Sequence, residues 1–372
     1  MKNEFIKSAM LICASVVVSF FIVEIATRVF IGHPLETSNA NLRIMLFEAG
    51  NNFKNFNNIF KYHENKEIIS STYYVVDEKP VLEFKYKIKT NNLGLVQSND
   101  IESCDNCELI LGDSFTEGLG YEPWFNDIEN YYSETGRRFV NGGILGTGPL
   151  HWEILARHLQ DDFSISFERV NVIFIGADIV RNLWNFGDAQ VECLQSAVCP
   201  PGRSGLGDFH GYDFNGKDDA AIIEDVSRIY ANTKIIHSIG LHREIVMRSA
   251  FLYNLYLVIK NHMAGSSASI DSLSFKSLED RNLETIDRLT RSGKKPGFAM
   301  LVNAKHEAGK SDKPEWDINS AYSIKWFAQR GYDLHTCELS QEEFRKYDMH
   351  PNKNGYNKIK NCVLSLLERQ KQ

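Results

Sequence analysis

Leu109-Ile110-Leu111-Gly112-Asp113-Ser114-Phe115-Thr116-Glu117-Gly118 opens with three apolar residues, short enough for a buried strand, and stops abruptly at Gly112-Asp113. A serine follows, and then residues that can open a helix. In a strand-to-helix turn of this kind the serine stands clear of the sheet edge, where backbone N–H groups point at whatever it attacks. A serine hydroxyl is a weak nucleophile by itself, so the reading requires a base elsewhere in the chain.

That base is offered near the other end, in Tyr347-Asp348-Met349-His350-Pro351-Asn352-Lys353-Asn354-Gly355-Tyr356. On an extended loop, residues two apart project to the same side. Asp348 can then accept from one imidazole nitrogen of His350, leaving the other to take the Ser114 proton, and the carboxylate fixes the tautomer. An isolated Asp-x-His is more simply a surface loop, with Asn352 capping the last helix. Beside the serine block and the Pro-Asn-x-x-Gly-Tyr that follows, catalysis is the better reading. A third piece is Asn141-Gly142-Gly143-Ile144-Leu145-Gly146-Thr147-Gly148. Glycine there lets backbone approach a developing oxyanion with no Cβ in the way.

These blocks resemble the SGNH (GDSL-type) hydrolase family over about residues 85 to 365. Gly-Asp-Ser-Phe-Thr-Glu-Gly is similar to its nucleophile block, Asp348 to Tyr356 to its last block, and Gly146 to the glycine whose N–H serves the oxyanion hole beside the N–H of Ser114. The common family spacing puts two residues between Asp and His. The single residue here resembles some bacterial polysaccharide O-acetyltransferases related to the family. A strand ending in Asn-x-Leu-Gly shortly before the serine (Asn91 to Gly94) resembles membrane-anchored members.

One block departs. Where the family has Gly-x-Asn-Asp or Gly-Asn-Asp, this chain reads Gly176-Ala177-Asp178-Ile179-Val180-Arg181-Asn182, so Ala177 replaces the asparagine that gives a third oxyanion donor. Loss of one donor costs on the order of a hundredfold in rate. Asn182 or another side chain substitutes, two donors suffice, or activity is degraded; the sequence leaves all three open. Asp178 is expected to anchor its loop, Asn141 to hold its turn and Glu117 to serve the helix start. Asp113, Asn141, Ala177, Asp178 and Asn182 are the further residues expected to line the site.

The 372 residues, 43% hydrophobic and 24% charged, suffice for a sizeable core. Net charge is -7 with no basic stripe, so nucleic acid is not an expected partner. Ala9 to Val23 carries no formal charge, Lys2 and Lys7 precede it, and the apolar character continues to Ile31 past Glu24 and Arg28. This run predicts an uncleaved transmembrane signal anchor over 8–31, with residues 1–7 cytoplasmic and the remainder outside the inner membrane. A cleaved signal peptide fits less well, for want of an Ala-x-Ala-like site. Cys104–Cys107, Cys193–Cys199 and Cys337–Cys362 are plausible disulfides of an oxidising compartment. Cys104-x-x-Cys107 alternatively reads as redox-active or as half a zinc site, but no second pair completes a metal site.

Residues 32–84 read as a stalk and cover segment, irregular or weakly stranded, closing on the alternating Val81 to Lys89. From Glu108 strands and helices alternate. Strands are expected at Glu108–Leu111, Arg138–Val140, Arg169–Ile175, Gly297–Val302 and Tyr332–Thr336, with 185–295 as a lid or specificity insertion. The pattern predicts a three-layer α/β/α sandwich with a mostly parallel five-stranded sheet, ligands binding at the carboxyl ends of the strands.

The expected activity is that of a serine esterase or O-acyltransferase, working through Ser114, His350, Asp348 and an acyl-enzyme, with no cofactor or metal. Expected partners are an ester-bearing small molecule, envelope glycan or lipid, the membrane, and a membrane acyltransferase or envelope-assembly protein. The alternative is a catalytically weakened binding or accessory protein.

Overall fold

Strands buried on both faces need apolar residues in continuous runs, and Cys107–Gly112 (β6), every residue of it buried, is the central case. The computed structural model describes Ser15 and residues 18–30, 43–76, 79–121, 124–184, 210–236, 249, 251–252, 254–255, 277–304, 315–332 and 334–370. Arg138–Gly143 (β7), Phe167–Phe174 (β8), Ala299–Ala304 (β10) and His335–Leu339 (β11) join β6 in one sheet of order β11-β10-β8-β6-β7. All four pairings are parallel. Each expected strand is present, within a few residues of its expected ends.

Alternation along the strands sorts the core into two layers. Leu109, Leu111, Val170, Val172 and Leu301 share one cluster with Trp152, Leu155 and Leu159 of the helix Pro149–Phe163, and with Leu283, Ile286 and Leu289 of Leu278–Thr290. Ile110, Ile173, Met300 and Val302 face the other way, onto Phe125, Ile128 and Tyr132 of Phe125–Tyr132 and Tyr356, Ile359 and Val363 of Lys353–Arg369. Each fully buried aliphatic or aromatic side chain contributes about 1.5–3 kcal/mol, so the sheet is held from both sides. This is a three-layer α/β/α sandwich. Two disulfides, Cys104–Cys107 and Cys337–Cys362, tie the start of β6 and join β11 to the last helix. The expected Cys193–Cys199 pair lies outside the described residues.

The expectation for 32–84 needs correction. Its described part holds Arg43–Glu48 (β1), Phe53–Phe56 (β2), Ile59–Tyr62 (β3), Glu67–Val76 (β4) and the start of Lys79–Lys89 (β5). A second sheet runs β5-β4-β1-β9, where β9 is His210–Tyr212, and β2 pairs with β3. The domain boundary placed at residues 84 and 85 therefore falls inside β5. The sequence pattern does not show β4 because Ser70, Ser71 and Thr72 are buried polar residues, which breaks the apolar alternation. One face of this sheet, with Met45, Phe47, Ile68, Phe84 and Ile88, joins the core of the parallel sheet. The other, with Ile44, Leu46, Tyr73 and Val75, is covered by Ile222 and Val226 of the helix Asp219–Ile236.

The span 185–295, expected as a lid or specificity insertion, supplies framework where it is described: β9, Asp219–Ile236 and Leu278–Thr290 all pack in the cores above. Residues 185–209 and most of 237–276 lie outside the described residues.

Contacts divide the chain into two units, Leu42–Thr233 with Lys276–Gln372, and Met1–Asn41 with Lys234–Phe275. In the smaller unit residues 18–30 are helical. Glu24 accepts there from Arg28 Nε at 2.8 Å, Ser249 Oγ at 2.7 Å and the Phe251 amide at 3.0 Å. Among the described residues no helix is long and apolar enough to cross a membrane. The rest of the expected anchor over 8–31 lies outside the described residues.

Candidate active site

The turn after β6 is set by a glycine and an aspartate. A Cβ on Gly112 would lie 2.4 Å from the Ile173 carbonyl oxygen and 2.0 Å from Thr116 Oγ1, so no larger residue fits where the strand turns. Asp113 caps the turn, its Oδ1 accepting from the Phe115 amide at 2.9 Å. The helix it starts is a single turn, Ser114–Glu117, closed by Gly118 in the left-handed region at φ 90°. Ser114 thus stands at the carboxyl end of β6, 6% exposed.

His350 comes from a loop pinned at its base. Phe344 bridges to Pro351, the Arg345 amide donates to the His350 carbonyl at 3.0 Å, and the Asn352 amide to that of Glu343 at 2.9 Å. Asn352 also caps the final helix, accepting from the Asn354 and Gly355 amides. The two roles weighed for this block coexist, the cap fixing the loop that carries the histidine.

The structure brings the three expected residues together. Ser114 Oγ lies 2.8 Å from His350 Nε2, and His350 Nδ1 is hydrogen-bonded to Asp348 Oδ1, which also accepts from the His350 amide at 2.9 Å. Asp348 is 4% exposed. Burial pushes its carboxyl up, but His350, Arg43 and the Tyr74 hydroxyl together outweigh that and hold it well below the usual carboxylate range.

The remaining expected residues take separate places. Asn141 is buried and holds its turn, accepting from the Gly143 amide at 2.9 Å and donating to the Val96 carbonyl at 2.7 Å. Gly146 has φ 68°, a conformation glycine adopts without strain. Asp178 anchors the turn after β8, accepting from the Ile175 amide at 2.9 Å. Arg181 donates to Asp178 at 2.5 Å and to Asp113 Oδ2 at 3.0 Å. Burial, and then the neighbouring Asp113, push the Asp178 carboxyl well up despite Arg181. Ala177 is buried in the apolar cluster that holds Phe115. Asn182 is exposed, and among the described residues no hydrogen bond joins its side chain to the triad.

Glu117 does not serve the helix start. It is buried, accepting from the Leu145 amide at 2.5 Å and from the Tyr62 hydroxyl at 3.1 Å, and burial pushes its carboxyl up to about 8. It thereby ties the nucleophile turn to the loop carrying Gly146. No partner for this acid is visible in the sequence, because Tyr62 is 55 positions away. Tyr74 and Arg43, which meet Asp348 from the second sheet, were missed for the same reason.

His151, read as a packing residue, is one: it is buried against the Phe60 carbonyl at 2.8 Å, and burial lowers it to about 4. Among the described residues no group of three or more His, Cys, Asp or Glu side chains is placed to hold a metal ion. A cavity of about 490 Å³, lined by Phe298, Phe327, Tyr332 and Arg291 among others, opens at the amino ends of β10 and β11, the opposite end of the sheet from Ser114.

A parallel sheet of this order, with the serine turn after β6 and an Asp-x-His loop before the last helix, decides the architecture. The fold resembles that of the SGNH (GDSL-type) hydrolases. No family model and no curated protein matches the chain. Among solved structures it is similar to a lipase/acylhydrolase from Enterococcus faecalis, at 12% identity and TM-score 0.30 over 72% of this chain and 96% of that one. It is also similar to LAE5, an alpha/beta hydrolase from the metagenome of Lake Arreo, Spain, at 12% identity and TM-score 0.33 over 72% and 96%. A GDSL-like lipase from Bacteroides thetaiotaomicron is similar at 11% identity and TM-score 0.29 over 74% and 93%. The functional reading rests on the geometry of this site.

Proposed function

We propose that this chain is a serine hydrolase or acyltransferase of carboxylic esters. The observation that carries the reading is the continuous relay from Ser114 Oγ through His350 to the buried Asp348 carboxylate. Ser114 Oγ attacks the acyl carbon while His350 Nε2 takes its proton, and Asp348 steadies the imidazolium that forms. The amides of Ser114 and Gly146 are assigned to the developing oxyanion. Among the described residues neither donates to another group. Collapse of the tetrahedral adduct breaks the ester C–O bond, and His350 returns the proton to the departing alcohol. Water then resolves the acyl-enzyme in an esterase, whereas a sugar hydroxyl accepts the acyl group in a transferase.

The substrate class we assign is an acyl ester of an envelope glycan or lipid, with the domain on the outer side of the inner membrane. That assignment is drawn from the charge-free run Ala9 to Val23 behind Lys2 and Lys7. The exposure of Phe21, Ile22, Ile25 and Val29 on helical residues 18–30 is in keeping with it. A membrane acyltransferase or envelope-assembly protein is the partner such a location invites.

The test uses the full chain in mild detergent beside its Ser114→Ala form, following hydrolysis of a short-chain aryl ester and covalent labelling by a fluorophosphonate. The expected result is turnover and labelling in the first and neither in the second. A folded wild-type protein that neither turns over nor labels overturns the reading. Fractionation of cells expressing the chain, with protease added to intact spheroplasts, tests the location separately.

A further inference from the structure

The two oxygens of Asp348 are divided between two parts of the fold. Oδ1 is taken by the histidine's own loop, through Nδ1 and the backbone amide of His350. Oδ2 is taken by the second sheet. The Tyr74 hydroxyl, on β4, donates to it at 2.9 Å, and Arg43 Nε, on β1, stands 3.5 Å from it. Arg43 and Tyr74 are cross-strand partners in the β1–β4 register, so one rung of that sheet presents both groups to one carboxylate oxygen.

We propose that Tyr74 and Arg43 are positioning residues of the active site, and that the second sheet exists in part to supply them. The inference rests on the triad reading above. A carboxylate only 4% exposed needs donors on both oxygens to stay ionised. The Asp348–His350 loop can furnish them for Oδ1 alone, since its contacts all reach that atom. With Oδ2 unheld, the carboxylate is free to rotate about its Cβ–Cγ bond or to take up a proton. Either change releases the imidazole from the tautomer that leaves Nε2 open to Ser114.

The same sheet grips the loop at further points. The Tyr347 amide donates to Glu83 Oε1 at 3.3 Å, Arg345 donates to the Glu83 carbonyl at 3.4 Å and lies 4.6 Å from the Phe84 ring centre, and the Tyr74 and Tyr347 rings stand 6.2 Å apart. The groups bearing on Asp348 are thus His350 from its own loop, Tyr74 and Arg43 from the sheet, and the buried Tyr356 phenol of the last helix. Of these, the two from the sheet are the only ones assigned to Oδ2 among the described residues.

The experiment is a double-mutant cycle on the full chain, read as kcat/KM for an aryl ester and as the rate of fluorophosphonate labelling. Tyr74→Phe is expected to lower both about tenfold in the wild-type background, with unchanged KM. In an Asp348→Asn background it is expected to change them less than twofold, because the group it serves is gone. Arg43→Gln should behave in the same way, and Arg43→Lys should recover part of the loss. Thermal unfolding of each variant separates positioning from loss of fold, and a variant that fails to fold is replaced by Tyr74→Trp or Arg43→Met. Equal losses in both backgrounds, or no loss in the wild-type background, overturn the proposal while leaving the triad standing. If Asp348→Asn itself has no effect, the triad reading falls and this inference with it.

Discussion

Ser114 Oγ and His350 Nε2 lie 2.8 Å apart although 236 positions separate them in the chain. Nothing local holds them there: the serine is set by the turn after β6, the histidine by a loop that Asn352 ties to the last helix. A contact between two independently built elements is the arrangement a proton transfer needs. His350→Ala is therefore expected to lower kcat for an aryl ester by on the order of a thousandfold or more, with KM little changed, since the histidine acts in the transition state. Steady-state kinetics beside Ser114→Ala check this. Removing both residues should cost little more than removing one, because they act as a unit.

Glu117 makes stability depend on pH in a direction opposite to Asp348. Its carboxyl is pushed up to about 8 by burial, against 4.5 for an exposed glutamate. The folded state then holds the proton more tightly than the unfolded chain, so stability is full below about 4.5 and declines as pH rises toward about 8. The slope is about 1.4 kcal/mol per pH unit inside that window. Asp348, held low, contributes stability at neutral pH that is lost as pH falls through the acid range. Denaturant melts from pH 5 to 8.5 should show wild-type stability falling, and Glu117→Gln flattening the curve. A parallel fall in both proteins assigns the slope to another group.

What the sequence made legible follows from how each signal is encoded. The parallel strands were readable because residues such as Leu109–Leu111 and Val172–Phe174 are buried on both faces, so burial appears as an unbroken apolar run. Ser114, Asp348 and His350 were readable because each sits in a short block whose neighbours have steric duties of their own, Gly112 and Asn352 among them. The second sheet was not, since β4 carries Ser70, Ser71 and Thr72 inward and its Tyr73 and Tyr74 face opposite layers. Glu117 was placed by its nearest neighbours in sequence, and its true partners, Tyr62 and the Leu145 amide, come from two other segments. Pairings between distant segments leave no periodic trace in either one.

Ala177 offers a gain-of-function test. It opens the turn after β8 at the carboxyl end of a strand adjacent to β6, where an asparagine side chain would add a donor. Ala177→Asn is expected to raise kcat roughly tenfold, through a hydrogen bond made to the oxyanion. The same change places an amide in the apolar cluster with Phe115 and Ile175, and should lower stability by about 1–3 kcal/mol. Kinetics and thermal melts on one preparation read both effects. An unchanged kcat in a folded variant shows that two backbone donors carry the oxyanion.

The two disulfides should differ in what their loss costs. Cross-linking stabilises by restricting the unfolded chain, and the effect grows with the loop enclosed. Cys337–Cys362 closes a separation of 25 residues, Cys104–Cys107 one of 3. On chain entropy alone the longer loop is worth about 3 kcal/mol, and the shorter roughly half that. The longer bridge also fastens the last helix, whose N-terminus is capped by the asparagine that fixes the His350 loop. Cys337→Ser with Cys362→Ser should therefore lower the unfolding midpoint more than Cys104→Ser with Cys107→Ser. It should also slow fluorophosphonate labelling at temperatures below unfolding, where the helix end first loosens. Equal midpoints, or labelling rates that track only the global unfolded fraction, would show that Asn352 holds the loop without help from the bridge.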